Sequence, residues 1–141
     1  MRAVVGLALC VLLAGCSLDF SPTDVEVPVE EAEAFGRIDI PAGLQVLEVR
    51  MDRGIDTRYR VALRVSERDV ETILRKSKFT EHFLPVKDPS AMTVIAGPPL
   101  SSATKVMAAQ GHVEKPWVYR DIVQDIRSSD EVYLHISLFN T

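Results

Sequence analysis

The sequence predicts an α+β domain: an antiparallel sheet of about four or five strands, arranged as two β-hairpins, with one or two helices on one face. Apolar and polar residues alternate over 45–65 and again over 132–138, as they do in strands with one buried face. Between these segments, residues 66–78 have the apolar spacing and the end residues of a helix.

The first predicted hairpin joins a strand over Gln45–Met51 to a strand over Thr57–Val65. In the second strand, apolar residues alternate with polar ones, and three of the polar positions form an arginine stripe: Arg58, Arg60 and Arg64. A turn over 52–56 contains Gly and Asp, which tolerate turn backbone angles. The alternation predicts that the arginine stripe lies on the face opposite the core.

A five-residue loop over 52–56 also predicts a register for this hairpin. It sets Glu48 opposite Arg60, which is a favourable cross-strand pair of opposite charges. It sets Arg50 opposite Arg58, where neighbouring acidic residues in the turn would compensate the repulsion.

The first helix is predicted to begin after Ser66, whose hydroxyl can cap the free amide groups of the first turn. Three residues form its apolar stripe: Val70, Ile73 and Leu74. Three basic residues gather at its carboxyl end, where they suit the helix dipole: Arg75, Lys76 and Lys78.

The rest of the domain alternates between weaker and stronger patterns. Residues 80–90 are predicted to form a loop, 92–96 a short strand, and 101–110 a short helix ended by Gly111. A second hairpin follows, with strands over 118–126 and 132–138 and a turn over 127–130. His135 alternates with the buried residues of the last strand, so it is expected to face solvent or a covering segment.

Residues 1–15 have the form of a secretory signal peptide. Arg2 supplies one positive charge, and the run Ala3–Leu13 contains no charged residue. That run is too short to cross a hydrocarbon core, which needs about 20 helical residues. A charged start, a short apolar run and small residues at the exit are typical of an exported protein.

The exit reads Leu13-Ala14-Gly15-Cys16, which resembles the lipobox of bacterial lipoproteins. The resemblance implies cleavage before Cys16, a diacylglyceryl group on its thiol, and anchorage by acyl chains on the extracytoplasmic side of the cell membrane. Cys10 would leave with the signal, so neither a disulfide nor a cysteine-held metal is expected. Residues 38–141 loosely resemble small uncharacterised exported lipoproteins of high-GC Gram-positive bacteria, which implies no activity.

Residues 16–36 are predicted to form an acidic tether between the anchor and a single domain over 37–141. The stretch 17–35 contains six Asp or Glu residues, no Lys or Arg, and two prolines. Such a segment repels itself and resists packing. A plain spacer is the favoured interpretation, and an acidic arm for a basic partner is the alternative.

Composition narrows the classes of partner. The chain is 47% hydrophobic, as globular domains are, and its formal net charge is −4. A net negative charge gives no general attraction to the phosphates of nucleic acid, so no nucleic-acid partner is expected. No cofactor-binding motif is present in the sequence either, and none is predicted.

The candidate binding surface consists of the arginine stripe and one aromatic residue: Arg58, Arg60, Arg64 and Trp117. Arginine's planar fork suits phosphate and carboxylate, so the stripe is a candidate for an anionic ligand or an acidic protein face. Trp117, next but one to Tyr119, is a candidate anchor for a partner. A solvated sheet face and a tryptophan at the rim of the core are the simpler interpretations.

No catalytic or metal-binding constellation is predicted. His82, His112 and His135 lack the spacing of a metal site. Ser101 and Ser102 follow a proline turn and lack the glycine elbow of a nucleophilic serine. Two carboxylate pairs have the commonplace form of solvated turns: Asp121 with Asp125, and Asp130 with Glu131.

These observations favour a membrane-anchored lipoprotein of the cell envelope that acts as a non-enzymatic binding or adaptor domain. An envelope hydrolase or metal-dependent enzyme is the alternative if His82, His112 and nearby acids converge in space. A small-ligand carrier is a third alternative, favoured by a pocket beneath the helix at 67–76.

Overall fold

The computed structural model describes residues 23–141. The strands within this range are β1 (Thr23–Glu26), β2 (Gln45–Arg53), β3 (Thr57–Val65), β4 (Leu84–Pro85), β5 (Lys105–Val113), β6 (Val118–Ile126) and β7 (Val132–Phe139). The α-helices are α1 (Val29–Gly36) and α2 (Glu67–Lys76), and two 3₁₀ turns lie at Pro89–Ala91 and Leu100–Ser102.

All the described strands form one antiparallel sheet in the order β1-β2-β3-β7-β6-β5-β4. The predicted antiparallel sheet with helices is confirmed, and so are the hairpins β2–β3 and β6–β7. The predicted number of strands is too low, because residues 23–141 alone contain seven. The three unforeseen strands β1, β4 and β5 form where the sequence predicts a tether, a loop and a helix.

The part of the predicted tether that the structure describes is folded, so the domain does not begin at residue 37. β1 pairs with β2 at the edge of the sheet, and Ala32 of α1 is fully buried. Gly36 lets α1 approach β7 closely, since a Cβ there would lie 2.5 Å from the side chain of Leu138. The acidic residues concealed an apolar stripe with helical spacing, Val29, Ala32 and Phe35, which packs on the core.

The register of the β2–β3 hairpin differs from the prediction by two residues. Arg53 pairs with Thr57, so the connection is shorter than predicted, and Arg50 lies opposite Arg60. Glu48 lies opposite Ala62, and the register shifts between Val46 and Glu48. The strands pair further into the Gly-Asp turn than its composition suggests, which brings two arginines together.

The predicted helix after Ser66 is confirmed as α2. The Ser66 hydroxyl accepts from the Asp69 amide at 3.1 Å, and the Asp69 carboxylate accepts from the Ser66 amide at 3.0 Å. The Ser66 hydroxyl also donates to the Asp69 carboxylate at 2.8 Å, and the two hydrogen bonds that this carboxylate accepts from Ser66 hold the pKa of Asp69 below its ordinary value. Val70 and Ile73 point into the core, as the apolar spacing predicts.

The predictions for 92–96 and 101–110 are wrong. Residues 92–96 form no strand, and β5 occupies Lys105–Val113 in place of a helix. The small residues Ala108, Ala109 and Gly111 fit either element locally. Pairing with β6 along the whole of β5 decides in favour of the strand.

The sheet has two faces of different character. The helix face packs against α1 and α2 and carries the main core, which includes Val61, Leu63, Ile122, Leu134, Ile136 and Leu138. The opposite face, here called the open face, carries the alternate side chains of the same strands. The arginine stripe lies on the open face, as predicted from the alternation.

A buried charged residue lies on the helix face. Arg120 of β6 is 2% exposed, and its Nη1 donates to the carbonyls of Ser77 at 2.8 Å and Arg37 at 3.3 Å. Its Nη2 donates to the carbonyl of Lys78 at 3.4 Å, and its guanidinium lies over the ring of Phe79. Burial lowers the pKa of Arg120.

Arg120 therefore binds the carboxyl ends of both helices. Arg37 is the C-cap of α1, and Ser77 is the C-cap of α2. Carbonyls at helix carboxyl ends lack intrahelical donors and carry the negative end of the helix dipole, so they suit a buried cation.

We expect Arg120→Met to destabilise the fold by about 2–3 kcal/mol, because several carbonyls would lose their donor while the volume changes little. Urea unfolding measures this loss. The matched control is Arg75→Met on the exposed side of α2, which should change the free energy of unfolding by less than about 0.5 kcal/mol. Equal stability of Arg120→Met and the wild type would contradict the stabilising role of Arg120 at the two helix ends.

Candidate functional site

Residues 89–102, here called the covering segment, cross part of the open face. Leu100 is 3% exposed and anchors the segment against the sheet. Gly97 has φ of +88° and lies against Tyr133, whose ring would be 3.1 Å from a Cβ at this position. Both the backbone angle and the close contact favour glycine here.

A buried ion pair secures the carboxyl end of the covering segment. Asp125 is fully buried, and Arg127 donates to its two carboxylate oxygens at 2.9 and 2.8 Å. Arg127 Nη2 also donates to the Ser102 hydroxyl at 3.0 Å and to the Pro99 carbonyl at 3.4 Å. Ser102 and Asp125 are thus engaged in holding this segment.

The three residues of the arginine stripe have different partners in the structure. Arg60 pairs with Asp24 at 3.0 Å and with Asp52 at 3.3 Å. Arg64 pairs with Glu131 at 2.7 Å, so it is also neutralised. Arg58 lies over the ring of Phe139, 5.1 Å from its centroid, and makes no salt bridge with any residue of the described range.

Arg58 stands at one end of a continuous line of rings on the open face. This aromatic row consists of His112, Trp117, Tyr119 and Phe139. The rings of His112 and Trp117 stack with centroids 4.1 Å apart, and those of Tyr119 and Phe139 stack at 5.2 Å. Trp117 joins the two pairs through an edge contact with Tyr119 at 6.1 Å, and it is 45% exposed.

Strand register places three of the four rings side by side. Tyr119 lies directly opposite His112 on β5 and Phe139 on β7. Arg37 donates to the carbonyls of Glu114 and Lys115, which fastens the turn that leads to Trp117 to the end of α1.

The sequence singles out Trp117, next but one to Tyr119, as a candidate anchor, but it gives no reason to place His112 or Phe139 beside them. The sequence suggests His112 only as a metal ligand. The available signal was the placement of aromatic residues on the polar side of their strands, but the partners depend on register. Tyr133 lies outside the row, beneath the guanidinium of Arg127.

The three histidines lie in different environments. His82 is exposed in the loop after α2, His112 belongs to the aromatic row, and His135 lies beneath the covering segment. Within residues 23–141, no group of three His, Cys, Asp or Glu side chains is placed to hold a metal ion. The convergence that would favour a metal-dependent enzyme is therefore not found in this range.

His135 faces the covering segment, which is one of the two environments that its alternation predicts. Both ring nitrogens are buried without a hydrogen-bond partner among the described residues. Burial lowers the pKa of His135, and the negative charge of Asp125 opposes this shift. Arg60 and Asp121 line the same cavity, whereas residues 92–95 of the covering segment bring no ionisable group to it.

The chain matches no family model, and the searches of curated proteins and solved structures found no significant similarity. In residues 23–141, every helix is too short or too polar to cross a membrane. The predicted lipid-attachment residue Cys16 and the predicted signal peptide lie outside the described residues.

We expect the wild-type protein to lose stability on acidification from about pH 7 to pH 5 because of His135. The pKa of His135 is lower in the folded state than in the unfolded state, so the unfolded state binds more protons in this range. The free energy of unfolding therefore decreases as the pH is lowered. Urea unfolding at both pH values measures the slope, which should be smaller in His135→Gln. Equal slopes in the two proteins would contradict the assignment.

Proposed function

We propose that this chain is a lipoprotein of the cell envelope, anchored through Cys16, whose domain is a non-enzymatic adaptor that binds an envelope protein. The aromatic row is the observation that carries the binding role. The lipobox at 13–16 supports the lipid anchor and the location in the cell envelope.

The chemistry of the row is that of a protein-binding hot spot. Tryptophan, tyrosine and arginine are the residues that most often dominate binding energy in protein interfaces. Here Trp117, Tyr119 and Arg58 occur together, and each is already held against a neighbouring ring. Because these side chains are ordered before binding, less conformational entropy is lost when a partner covers them.

The shape of the row favours a protein partner over a small molecule. It runs across β5, β6 and β7 to Arg58 on β3, and three strand spacings amount to about 15 Å. The rings lie on a sheet surface and are not enclosed. An extended surface of this kind suits the side of another protein.

The folded start of the domain limits its distance from the membrane. Residues 17–22 alone separate Cys16 from β1. Even a fully extended chain of this length reaches at most about 25 Å. In the proposed anchored state, the partner must therefore be met close to the lipid headgroups.

Substitution of each of the two cysteines tests the proposed lipid anchor. Cys16→Ala should abolish labelling with radioactive palmitate and release the protein from the membrane fraction, because it removes the acylated thiol. Cys10→Ala is the matched control and should leave labelling and fractionation unchanged, since residue 10 would leave with the signal. Membrane retention of Cys16→Ala, or cleavage of the wild type at another position, would contradict anchorage through Cys16.

The binding role is tested by site-specific photocrosslinking in cells. A photoreactive phenylalanine analogue replaces Trp117 in one strain and the exposed Arg75 of α2 in another. We expect a defined protein adduct from position 117 alone, because only the aromatic row should meet the partner. Mass spectrometry identifies the adduct. Absence of an adduct would count against the adaptor role, and attachment to an anionic polymer would replace the protein partner by that ligand.

A further inference from the structure

A second site lies on the open face, beneath the covering segment. A cavity of about 250 Å³ separates residues 92–95 from the strands below. Its apolar wall includes Met92, Val94, Ile95 and Val123. The cavity is smaller than the roughly 300–1,000 Å³ of pockets for drug-sized ligands, so it suits a small molecule.

The floor of this cavity holds hydrogen-bonding groups without partners. Arg60 Nε and both ring nitrogens of His135 are buried and unpaired among the described residues. Leaving a buried polar group unpaired costs about 1–3 kcal/mol, so native proteins rarely tolerate three together. Their concentration in one cavity indicates an occupant that forms hydrogen bonds with them.

The charges on the floor are arranged in a line. Arg60, Ser137 and Asp121 lie directly opposite one another on β3, β7 and β6, so Ser137 separates a cation from a carboxylate. Two strand spacings place the outer Cα atoms about 10 Å apart. Because Ser137 is small, space remains above it between the opposite charges.

Each end of this line has unused capacity. At the cationic end, the guanidinium of Arg60 uses Nη2 for its carboxylate partners, and Arg58 has no ion pair within residues 23–141. At the other end, Asp121 accepts one long hydrogen bond, from Gln110 at 3.4 Å. Burial raises the pKa of Asp121, and the hydrogen bond from Gln110 and the positive charge of Arg58 only partly oppose this shift.

We propose that this cavity binds a free α-amino acid with an apolar side chain. The ligand carboxylate accepts hydrogen bonds from Arg58, Arg60 Nε and His135, and the ligand ammonium donates to Asp121. The apolar side chain packs against Met92, Val94 and Ile95 of the covering segment. A zwitterion supplies both charges over a short distance, which neither an anion nor a cation alone can do.

The cavity is a separate site from the aromatic row. Arg58 stands at the boundary, because it lines the cavity and also lies over the ring of Phe139. None of the four rings of the row lines the cavity. The proposal does not depend on a protein partner, so either can fail while the other stands.

Calorimetric titration of the full-length protein with three probes tests the proposal. Leucine carries both charges, isocaproate lacks the ammonium, and isoamylamine lacks the carboxylate. We expect leucine to bind, and each truncated probe to bind about tenfold more weakly or worse, since each loses a charged hydrogen bond. Both enantiomers of leucine are titrated, and a preference would identify which form of the amino acid the site takes.

Variants assign the contacts. Asp121→Asn should weaken leucine binding about tenfold while leaving isocaproate binding unchanged, because only leucine carries the ammonium. Arg58→Gln should weaken both ligands. Arg64→Gln, on the same strand and face but outside the cavity, is the matched control and should change neither.

A spectroscopic signal distinguishes binding in the cavity from binding elsewhere. Addition of leucine should shift the side-chain nitrogen resonances of His135 and leave those of the exposed His82 unchanged. In His135→Gln, where the histidine cannot titrate, any leucine binding that remains should weaken on acidification, because protonation of Asp121 removes the partner of the ammonium. Absence of leucine binding would overturn the proposal and leave the cavity to water, and equal binding of leucine and isocaproate would overturn the zwitterion assignment.

Discussion

The described structure depends on one buried cation. Arg120 lies among apolar side chains and binds the carbonyls that end both α1 and α2. Since each helix contributes only one or two turns of buried residues, neither has a long contact of its own to fix its position. The guanidinium joins the two helix ends to β6, beside the apolar core to which the helices and the sheet both contribute. The favourable dipoles of the helix ends offset part of the cost of burying the charge.

The open face is covered in a different way, because no α-helix packs on it in the described range. An irregular segment crosses part of it and is held by Leu100 and by the Asp125–Arg127 pair. This coverage divides the face into a shielded polar cavity and an exposed aromatic row. The shielded part lowers the pKa of His135 and raises that of Asp121, whereas the exposed part presents rings to solvent. Two kinds of recognition chemistry can thus exist on adjacent parts of one sheet.

Prediction succeeded where the local pattern had one interpretation. β3, β7 and α2 combine unbroken periodicity with clear ends, so packing only reinforced them. It failed at α1, where acidic residues outweighed a short apolar stripe, and at β5, where small residues suit either helix or strand. In both elements the deciding energy comes from contacts with distant parts of the chain: Leu138 beneath Gly36, and β6 alongside β5.

The sequence by itself determined the alternation of the main strands, the capped helix after Ser66, the face that carries the arginine stripe, and the predicted lipid-anchoring motif. These properties are local, since they depend on the order of neighbouring residues. Only the tertiary structure decided which arginine of the stripe has no ion pair among the described residues, which rings meet Trp117, and what surrounds His135. Those outcomes depend on strand register and on the path of the covering segment, and a register shift of two residues changes every cross-strand partner.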